Sequence, residues 1–528
     1  MRLDVHSLPD DPTELKHIIA TLSSSYQDKL HHLEEQVRLL RNEIFGRKSE
    51  KHLPPQNERQ QRLFDETDGG SEAEEASPSQ GQAPILVAPH QRRKAGRKPL
   101  PADLPRIEVI HDIPESEKQC ACGTPLSRIG EEVCEKLDII PAKVRVIRHI
   151  RYKYACKGCE GVESLAPTVL IAPLPPQLIP KTMATAGLLA HIVVSKFEDA
   201  LPFHRQSKQL ARLGIDLPRA TLCNWARQVA ERASPLADLM DRAIREGPIV
   251  NIDETTVQVL QEPGRSDTQK SYMWIFRGGD PERPVLRYQY HPTRAGSVPL
   301  NYLEGFKGYV QTDGYNGYDA LGRKPGIVMV GCWAHARRKF HEVLKAASVQ
   351  VAKRKLAAEE ALEFIGKLYR IEKEARAKEL PAPALCELRQ QQAEPVLAEF
   401  KRWLEEKAPL TPPGGLLGKA IGYTLNQWPR LIAYLQDGRL RPDNNLVENA
   451  IRPFVVGRKN WLFSGHPRGA AASAFLYSLI ETAKANGFKP YAYLRYLFDQ
   501  LPLATTEDDY RSLLPPYMDA SRLNSAAA

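Results

Sequence analysis

No run of about 18 apolar residues occurs in the 528-residue chain, which argues against a membrane-spanning helix. The opening residues, Met1-Arg-Leu-Asp-Val-His6, lack the apolar core of a secretion signal, so a cytoplasmic protein is expected. Cysteine is scarce, with eight residues. Four of them form two close pairs, and Cys134, Cys223, Cys332 and Cys386 stand alone. That spacing suits a metal site in a reducing compartment better than a disulfide framework. Acidic side chains are missing from two stretches. Asn449 to Ile480 carries Arg452, Arg458, Lys459 and Arg468, and Cys332 to His341 carries Arg337, Arg338, Lys339 and two histidines. The formal net charge of +9 is too mild to prove a nucleic-acid partner by itself. The acid-free stretches say more.

What is present divides the chain into distinct segments. Residues 13–51 predict one helix in which Tyr26, Leu30, Leu33, Val37, Leu40 and Ile44 form a narrow apolar seam. Self-association through a coiled coil is expected, because the polar sequence that follows offers no core to dock on. The alternative is an amphipathic helix docked on its own protein. Residues 52–115 read as a disordered linker. Its stretch 91–101 contains Arg92, Arg93, Arg97 and Lys98 among Gly and Pro. Such a segment can lie extended in a DNA minor groove, or simply be a solvated linker.

Residues 116–165 hold Cys120, Cys122, Cys156 and Cys159, with an alternating basic strand pattern at 144–154 between the pairs. Two close thiol pairs predict a four-thiolate ribbon around one structural Zn2+. The first pair is C-x-C, so its geometry is tighter than the commoner C-x2-C. Residues 180–235 predict a helix-turn-helix, with a first helix at His204 to Leu213, a turn at Gly214 and a second helix opened by Pro218. Arg219, Thr221 and Asn224 would then face a major groove. A plain helical hairpin is the alternative.

Residues 248–345 alternate strand and helix, with strands at 248–260, 271–278, 284–292 and 308–313 and a helix at 297–305. Residues 344–436 are almost wholly helical in pattern, 466–510 form a C-terminal helical region, and 511–528 read as a disordered tail. Within this frame three acids stand out. Asp253 lies inside the apolar run Ile249-Val-Asn-Ile-Asp-Glu-Thr-Thr-Val-Gln-Val-Leu260, and Asp313 ends the run Gly308-Tyr-Val-Gln-Thr-Asp313. Glu448 sits in Asn444-Asn-Leu-Val-Glu-Asn-Ala-Ile-Arg452. A carboxylate buried in an apolar strand is costly unless compensated, and a shared divalent cation would compensate all three. Asp253 and Glu254 face opposite sides of one strand, so only one can face a common site. Asp253 is preferred, since it shares a face with Asn251 and Thr255. Asp319 is the decoy near Asp313. Glu448 can also be read as one half of a surface pair with Arg452, with Pro453 stopping or kinking its helix.

Several blocks resemble the insertion-sequence-66 family of bacterial DDE transposases. They are Phe45-Gly-Arg-Lys-Ser-Glu-Lys51, Gly96-Arg-Lys-Pro-Leu-Pro101, the paired cysteines and Gly331-Cys-Trp-Ala-His-Ala-Arg-Arg338. Further on come Asn444-Asn-Leu-Val-Glu-Asn-Ala-Ile-Arg-Pro453, Gly457-Arg-Lys-Asn-Trp-Leu-Phe463 and Ser478-Leu-Ile-Glu-Thr-Ala-Lys-Ala-Asn-Gly487. The resemblance implies a multidomain α/β protein. Its RNase H-like catalytic domain (236–465) is interrupted by a helical insertion (344–436) and preceded by the coiled coil, the zinc ribbon and the helix-turn-helix. It places the catalytic acids on Asp253, Asp313 and Glu448, holding two Mg2+ (or Mn2+) ions. It implies cleavage of insertion-sequence ends and transfer of the freed 3′-hydroxyls into target DNA.

The partners then expected are terminal inverted repeats, target DNA, a second copy or more of the chain, and small accessory proteins of the same element. Arg337, Arg338, Arg452, Arg458 and Lys459 are expected to touch DNA. His335, in the pair Cys332-x-x-His335, either touches DNA or orients a carboxylate, or else caps a helix end beside a core cysteine. Two rival functions remain: an RNase H-like nuclease without strand transfer, and a non-catalytic DNA-binding repressor.

Overall fold

A computed structural model describes residues 11–45, 144–155, 169–346 and 356–524. The chain divides into two compact units, Met1–Leu63 with Arg151–Ala528, and Phe64–Ile150. All helices and strands among the described residues belong to the first. Cys120, Cys122, Cys156, Cys159, Arg92, Arg93, Arg97 and Lys98 lie outside the described residues, so the ribbon and the basic stretch keep the standing of expectations.

A long helix, α1 (Pro12–Phe45), comes first. Of the alternating run at 144–154 only the end forms a ladder, β1 (Lys153–Ala155) against β2 (Val169–Ile171). Four helices follow: α2 (Ala186–Phe197), α3 (Phe203–Arg212), α4 (Arg219–Arg232) and α5 (Pro235–Glu246). The α3–α4 turn uses Gly214 at φ 79°, a conformation that glycine adopts without steric penalty. Ser207 Oγ donates to Leu217 O at 2.6 Å across that turn. Leu222, Trp225 and Val229 bury the inner face of α4, leaving Arg219 and Asn224 exposed and Thr221 half-buried.

The sheet that organises the unit has five strands. They are β3 (Ile249–Gln258), β4 (Lys270–Asp280), β5 (Arg283–His291), β6 (Gly308–Gln311) and β7 (Ile327–Val330), in spatial order β5-β4-β3-β6-β7. The first three form an antiparallel meander; β6 and β7 run parallel to β3. Short helices α6 (Ser297–Tyr302) and α7 (Asp319–Gly322) make the crossovers. Strand β7 was not expected. Its four residues Ile-Val-Met-Val are too few to show a period, and only the pairing with β6 defines them.

Beyond the sheet lie α8 (Trp333–Ala346), α9 (Ala357–Ala377), α10 (Ala382–Leu388), α11 (Glu394–Lys407), α12 (Leu416–Asn426) and α13 (Trp428–Leu431). Then come α14 (Asn445–Trp461), α15 (Pro467–Ala485) and α16 (Pro490–Gln500). One hydrophobic core joins the sheet to α2–α5 and α14–α16; a second, around Trp333, Phe340, Phe400 and Trp428, lies under the α8–α13 block. Buried Arg389 ties that block together. It holds both carboxylate oxygens of Glu372 at 2.7 and 2.9 Å and donates to the carbonyls of Tyr434, Asp437 and Leu440. A buried charge is tolerable when its donors are satisfied in this way.

Helix α15 covers the edge strand β5. Ser478 Oγ accepts from Tyr288 N, and Thr482 Oγ1 accepts from Leu286 N and donates to Leu286 O. The edge is thereby closed to pairing with another strand.

Two expectations are corrected. Pro453 does not stop α14, which runs on to Trp461. Val447, Ala450, Ile451, Phe454 and Gly457 bury one face of it, and the Tyr288 hydroxyl donates to Ala450 O beside the interrupted turn. Residues 511–524 are not a loose tail. Leu513, Leu514, Met518 and Leu523 are buried against the main core, because they recur closely enough to reach it from a short irregular path.

Helix α1 makes contacts with its own chain, as the docked alternative expected. Arg38 Nε donates to Ala346 O at 2.9 Å, and Glu35 accepts from Leu416 N at 3.3 Å, so one face rests on α8 and α12. The seam residues Tyr26, Leu30, Leu33, Val37 and Leu40 remain exposed.

Candidate active site

The site lies where β3 leaves its parallel pairing with β6: Asp253 stands midway along β3, and Asp313 just past the end of β6. Asn251 on β3 pairs in register with Gln311 on β6. Asp253 and Asp313 each lie two residues further along, so alternation brings both to the same face and level. Asp313 Oδ1 accepts from Tyr315 N at 2.9 Å, which holds its carboxylate in the turn leaving β6. Gly314 is required there: a Cβ would come within 2.6 Å of the Tyr423 ring.

Glu448 arrives from far along the chain, in the first turn of α14. Buried amides fix where that helix starts. Asn251 Nδ2 donates to Gln311 Oε1 and to Asn444 Oδ1, both at 3.0 Å, and Asn444 Nδ2 donates to Ile252 O at 3.0 Å. Gln311 Nε2 donates to Gly331 O and Arg441 O. Cys332 completes the clip: its Sγ accepts from Asn444 N at 3.2 Å and lies 3.9 Å from Glu448 Oε1. Such fully paired buried networks specify one geometry. Asn251 and Gln311 were not singled out for this role, although each stands two residues before a candidate aspartate.

Glu448 faces α8. His335 Nδ1 lies 3.5 Å from its Oε1, and Arg338 3.9 Å from its Oε2. The surface pair with Arg452 is therefore not the arrangement adopted. Cys332 is buried, and burial, with Glu448 nearby, holds its thiol well above the usual range. Burial lowers the His335 pKa, opposed by Glu448.

The three acids act on one another electrostatically. Burial pushes the Asp253 pKa up to about 8, and Glu254, Glu448 and Asp313 add to the effect. Its one hydrogen bond in the site comes from Glu254 N at 2.9 Å. Glu254 contrasts with it. On the opposite face it accepts from Arg294 Nε at 2.6 Å and from the Tyr318 hydroxyl, and Arg294 stacks 3.8 Å from the Tyr315 ring centroid. Asp319 is likewise taken, paired with Arg430 at 2.6 Å.

The donor chemistry suits hard divalent ions. Carboxylate oxygens of Asp253, Asp313 and Glu448 are of the kind Mg2+ and Mn2+ prefer, and among the described residues no cationic side chain pairs with Asp253. Cys332, His335 and Glu448 also bring ligand atoms within 4.8 Å of one another. Of the expected DNA-contacting cations, Arg338, Arg452 and Lys459 are exposed and Arg337 is half-buried. Arg458 is committed internally, to Thr255 Oγ1 at 2.8 Å and to the Thr256 carbonyl. On α4, Asn224 Oδ1 accepts from Arg227.

Comparison with known proteins gives the class as transposase. Residues 181–472 match the model of the Transposase IS66 family, and 478–515 match the IS66 C-terminal element. Residues 117–160 match the zinc-finger binding domain of transposase IS66, and 32–109 a model described as Transposase C of IS166 homeodomain. The chain belongs to the IS66 transposase family.

Its relatives include two uncharacterized proteins of Sinorhizobium fredii. The protein y4jD is 37% identical over 81% of this chain and 83% of its own length. The protein y4qI is 31% identical over 98% of both.

Proposed function

We propose that Asp253, Asp313 and Glu448 are the catalytic triad of this transposase. In this reading they hold two Mg2+ (or Mn2+) ions, cleave the ends of an insertion sequence, and join the freed 3′-hydroxyls to target DNA. The observation that carries the proposal is the in-register placement of Asp253 and Asp313 with Glu448 clipped beside them by Asn444. The sheet order, three antiparallel strands followed by two parallel ones, supports an RNase H-like core. When bound, such an ion pair supplies an activated oxygen nucleophile and stabilises the leaving oxygen of an in-line displacement. The protein's own task is to fix the carboxylates and keep them unneutralised until ions arrive. Cleavage and joining are both displacements at phosphorus, so one site serves both.

Other surfaces take supporting roles in this proposal. Arg337, Arg338, Arg452 and Lys459 meet backbone phosphates near the site, and His335 orients Glu448. Arg219, Thr221 and Asn224 on α4 read the terminal repeats, with Arg92, Arg93, Arg97 and Lys98 in the adjoining minor groove. Cys120, Cys122, Cys156 and Cys159 hold one structural Zn2+. The exposed α1 seam pairs two subunits, since two element ends must be held together. Small proteins of the same element assist.

The test is cleavage and joining of labelled element ends by purified protein with Mg2+, beside Asp313→Asn and Glu448→Gln. Wild type should yield cut and inserted products, and the variants neither. Equal cleavage by all three would sink the triad. Cutting without insertion would favour the nuclease. Full function after deletion of residues 236–528 would favour the repressor.

A further inference from the structure

A second feature lies along β3 from the triad. Helix α14 ends in the exposed pair Leu462 and Phe463, 66% and 45% accessible. Leu462 has φ 66°, a conformation rare for a residue with a branched side chain and one that the surroundings must impose. They do so with a set of backbone bonds. Leu462 N donates to Arg458 O at 2.7 Å and Phe463 N to Trp461 O at 2.8 Å. Ser464 N donates to Gln258 O, and Leu260 N to Ser464 O, both at 2.9 Å. Two large apolar side chains are thus presented to solvent on a tip anchored at both ends.

The surroundings are those of a nucleic-acid surface. The tip follows Arg458 and Lys459 and precedes Arg468 in the stretch without acids. Beneath it runs an open groove of about 410 Å³, lined by Thr256, Gln258, Thr268, Lys270, Lys459 and Leu462 among others. Lys270 and Lys459 are exposed at its border. Asp267, next to the lining residue Thr268, has its carboxylate engaged by Gln261 N at 2.8 Å. Apolar wedges flanked by cations are how proteins part stacked bases, and aromatic faces stack on the bases so exposed.

We propose that Leu462 and Phe463 form a wedge that opens the DNA duplex near the element end, and that the groove beneath receives the displaced nucleotide. Lys270 and Lys459 meet its phosphate, while Thr256, Gln258 and Thr268 face its polar edges. The proposal rests on the reading of Asp253, Asp313 and Glu448 as the cleavage site and adds a mode of substrate distortion to it. Gln258 is five residues beyond Asp253 on β3, roughly 16 Å at the usual strand rise, or about five base steps. Opening there would free the strand to bend into the carboxylates.

The experiment uses the full chain and a duplex carrying the terminal repeat that flanks its coding sequence. The fluorescent base 2-aminopurine replaces each position in turn, and binding is followed separately by anisotropy. Wild type should raise the fluorescence at one or two positions about five steps from the cleavage point. Leu462→Ala with Phe463→Ala should bind the duplex yet lose most of that rise, and Phe463→Trp should keep it. Binding by wild type without a rise at any position overturns the wedge, as does a rise that survives in the double variant. A change in sedimentation of the DNA-free double variant would assign the tip to self-association instead. Failure of wild type to bind the duplex at all would remove the DNA-end reading and the wedge with it.

Discussion

The two faces of strand β3 handle the same problem in opposite ways. Asp253 and Glu254 are adjacent, and burial is the main influence raising both pKa values. On one face the fold supplies Arg294 and Tyr318, which lower the Glu254 pKa against burial. On the other it supplies two more carboxylates, which raise Asp253 further. One acid is thus neutralised by its surroundings and its neighbour crowded by like charge, a contrast that fits the proposed cation site on the second face.

The largest expected difference between the faces is in chemistry. Asp253→Asn should cut cleavage of element ends at least about a hundredfold, in the range seen when a transition-state contact is removed. Glu254→Gln should retain most of the activity that its stability permits. If the two lose activity equally, the faces are not distinct.

Stability should respond in the reverse sense. Glu254→Ala leaves the Tyr318 hydroxyl without its acceptor and Arg294 without its partner, and should destabilise by about 1–3 kcal/mol. Arg294 is partly exposed, so solvent screens that pair and the lower half of the range is expected. Asp253→Asn should be neutral or stabilising without divalent ions, because it removes the cost of protonating or burying a carboxylate on folding. Chemical denaturation of both variants checks this.

The pH response follows from the same contrast. The folded-state pKa of Asp253 is about 8, above its unfolded value of about 3.9. The folded protein therefore binds more protons between those values, and this group's contribution to stability falls as pH rises through that window. Melting in EDTA should show that decline in wild type and a flatter profile in Asp253→Asn. Mg2+ should raise the wild-type melting temperature near pH 8 and have little effect near pH 5. An identical pH profile for wild type and Asp253→Asn would contradict the assigned shift.

A last pair of variants tests what holds the Asp253 face in place. Asn444→Ala breaks two buried amide bonds and should cost about 1–3 kcal/mol, with cleavage falling more than Mg2+-dependent stabilisation does. Asn444→Asp would put another carboxylate beside Ile252 O and should be worse, as measured in the same assays.

Much of this was legible before any coordinates. The strand runs around Asp253 and Asp313 announced themselves through β-branched content and length, and alternation, with Asn251 and Thr255 on the same face, favoured Asp253 over Glu254. Family resemblance, not periodicity, supplied the role of Glu448, since its helix reads locally as a surface segment with an i+4 partner. The physical reason is range. Glu448 is positioned by Asn251, Gln311 and Cys332, residues more than a hundred positions away, and no local pattern encodes that. Strand β7 escaped for the same reason, being defined by its neighbour. Pro453 misled because its local penalty is real, but a buried helix face and the Tyr288 hydroxyl outweigh it.

The clip at Asn444 separates where Glu448 sits from how the chain gets there. Between α8 and α14 the chain travels, among the described residues, through five α-helices that share a core with α8, Ile249 and Val330, and the return is fastened again at its last residues. Gly331 N donates to Arg430 O and Trp333 N to Pro442 O, and Asn444 locks the rest. Each doubling of a connecting segment adds only about 0.6 kcal/mol of closure entropy. A connection inside the intervening block could therefore grow at little entropic cost while the two seams keep the acid in register.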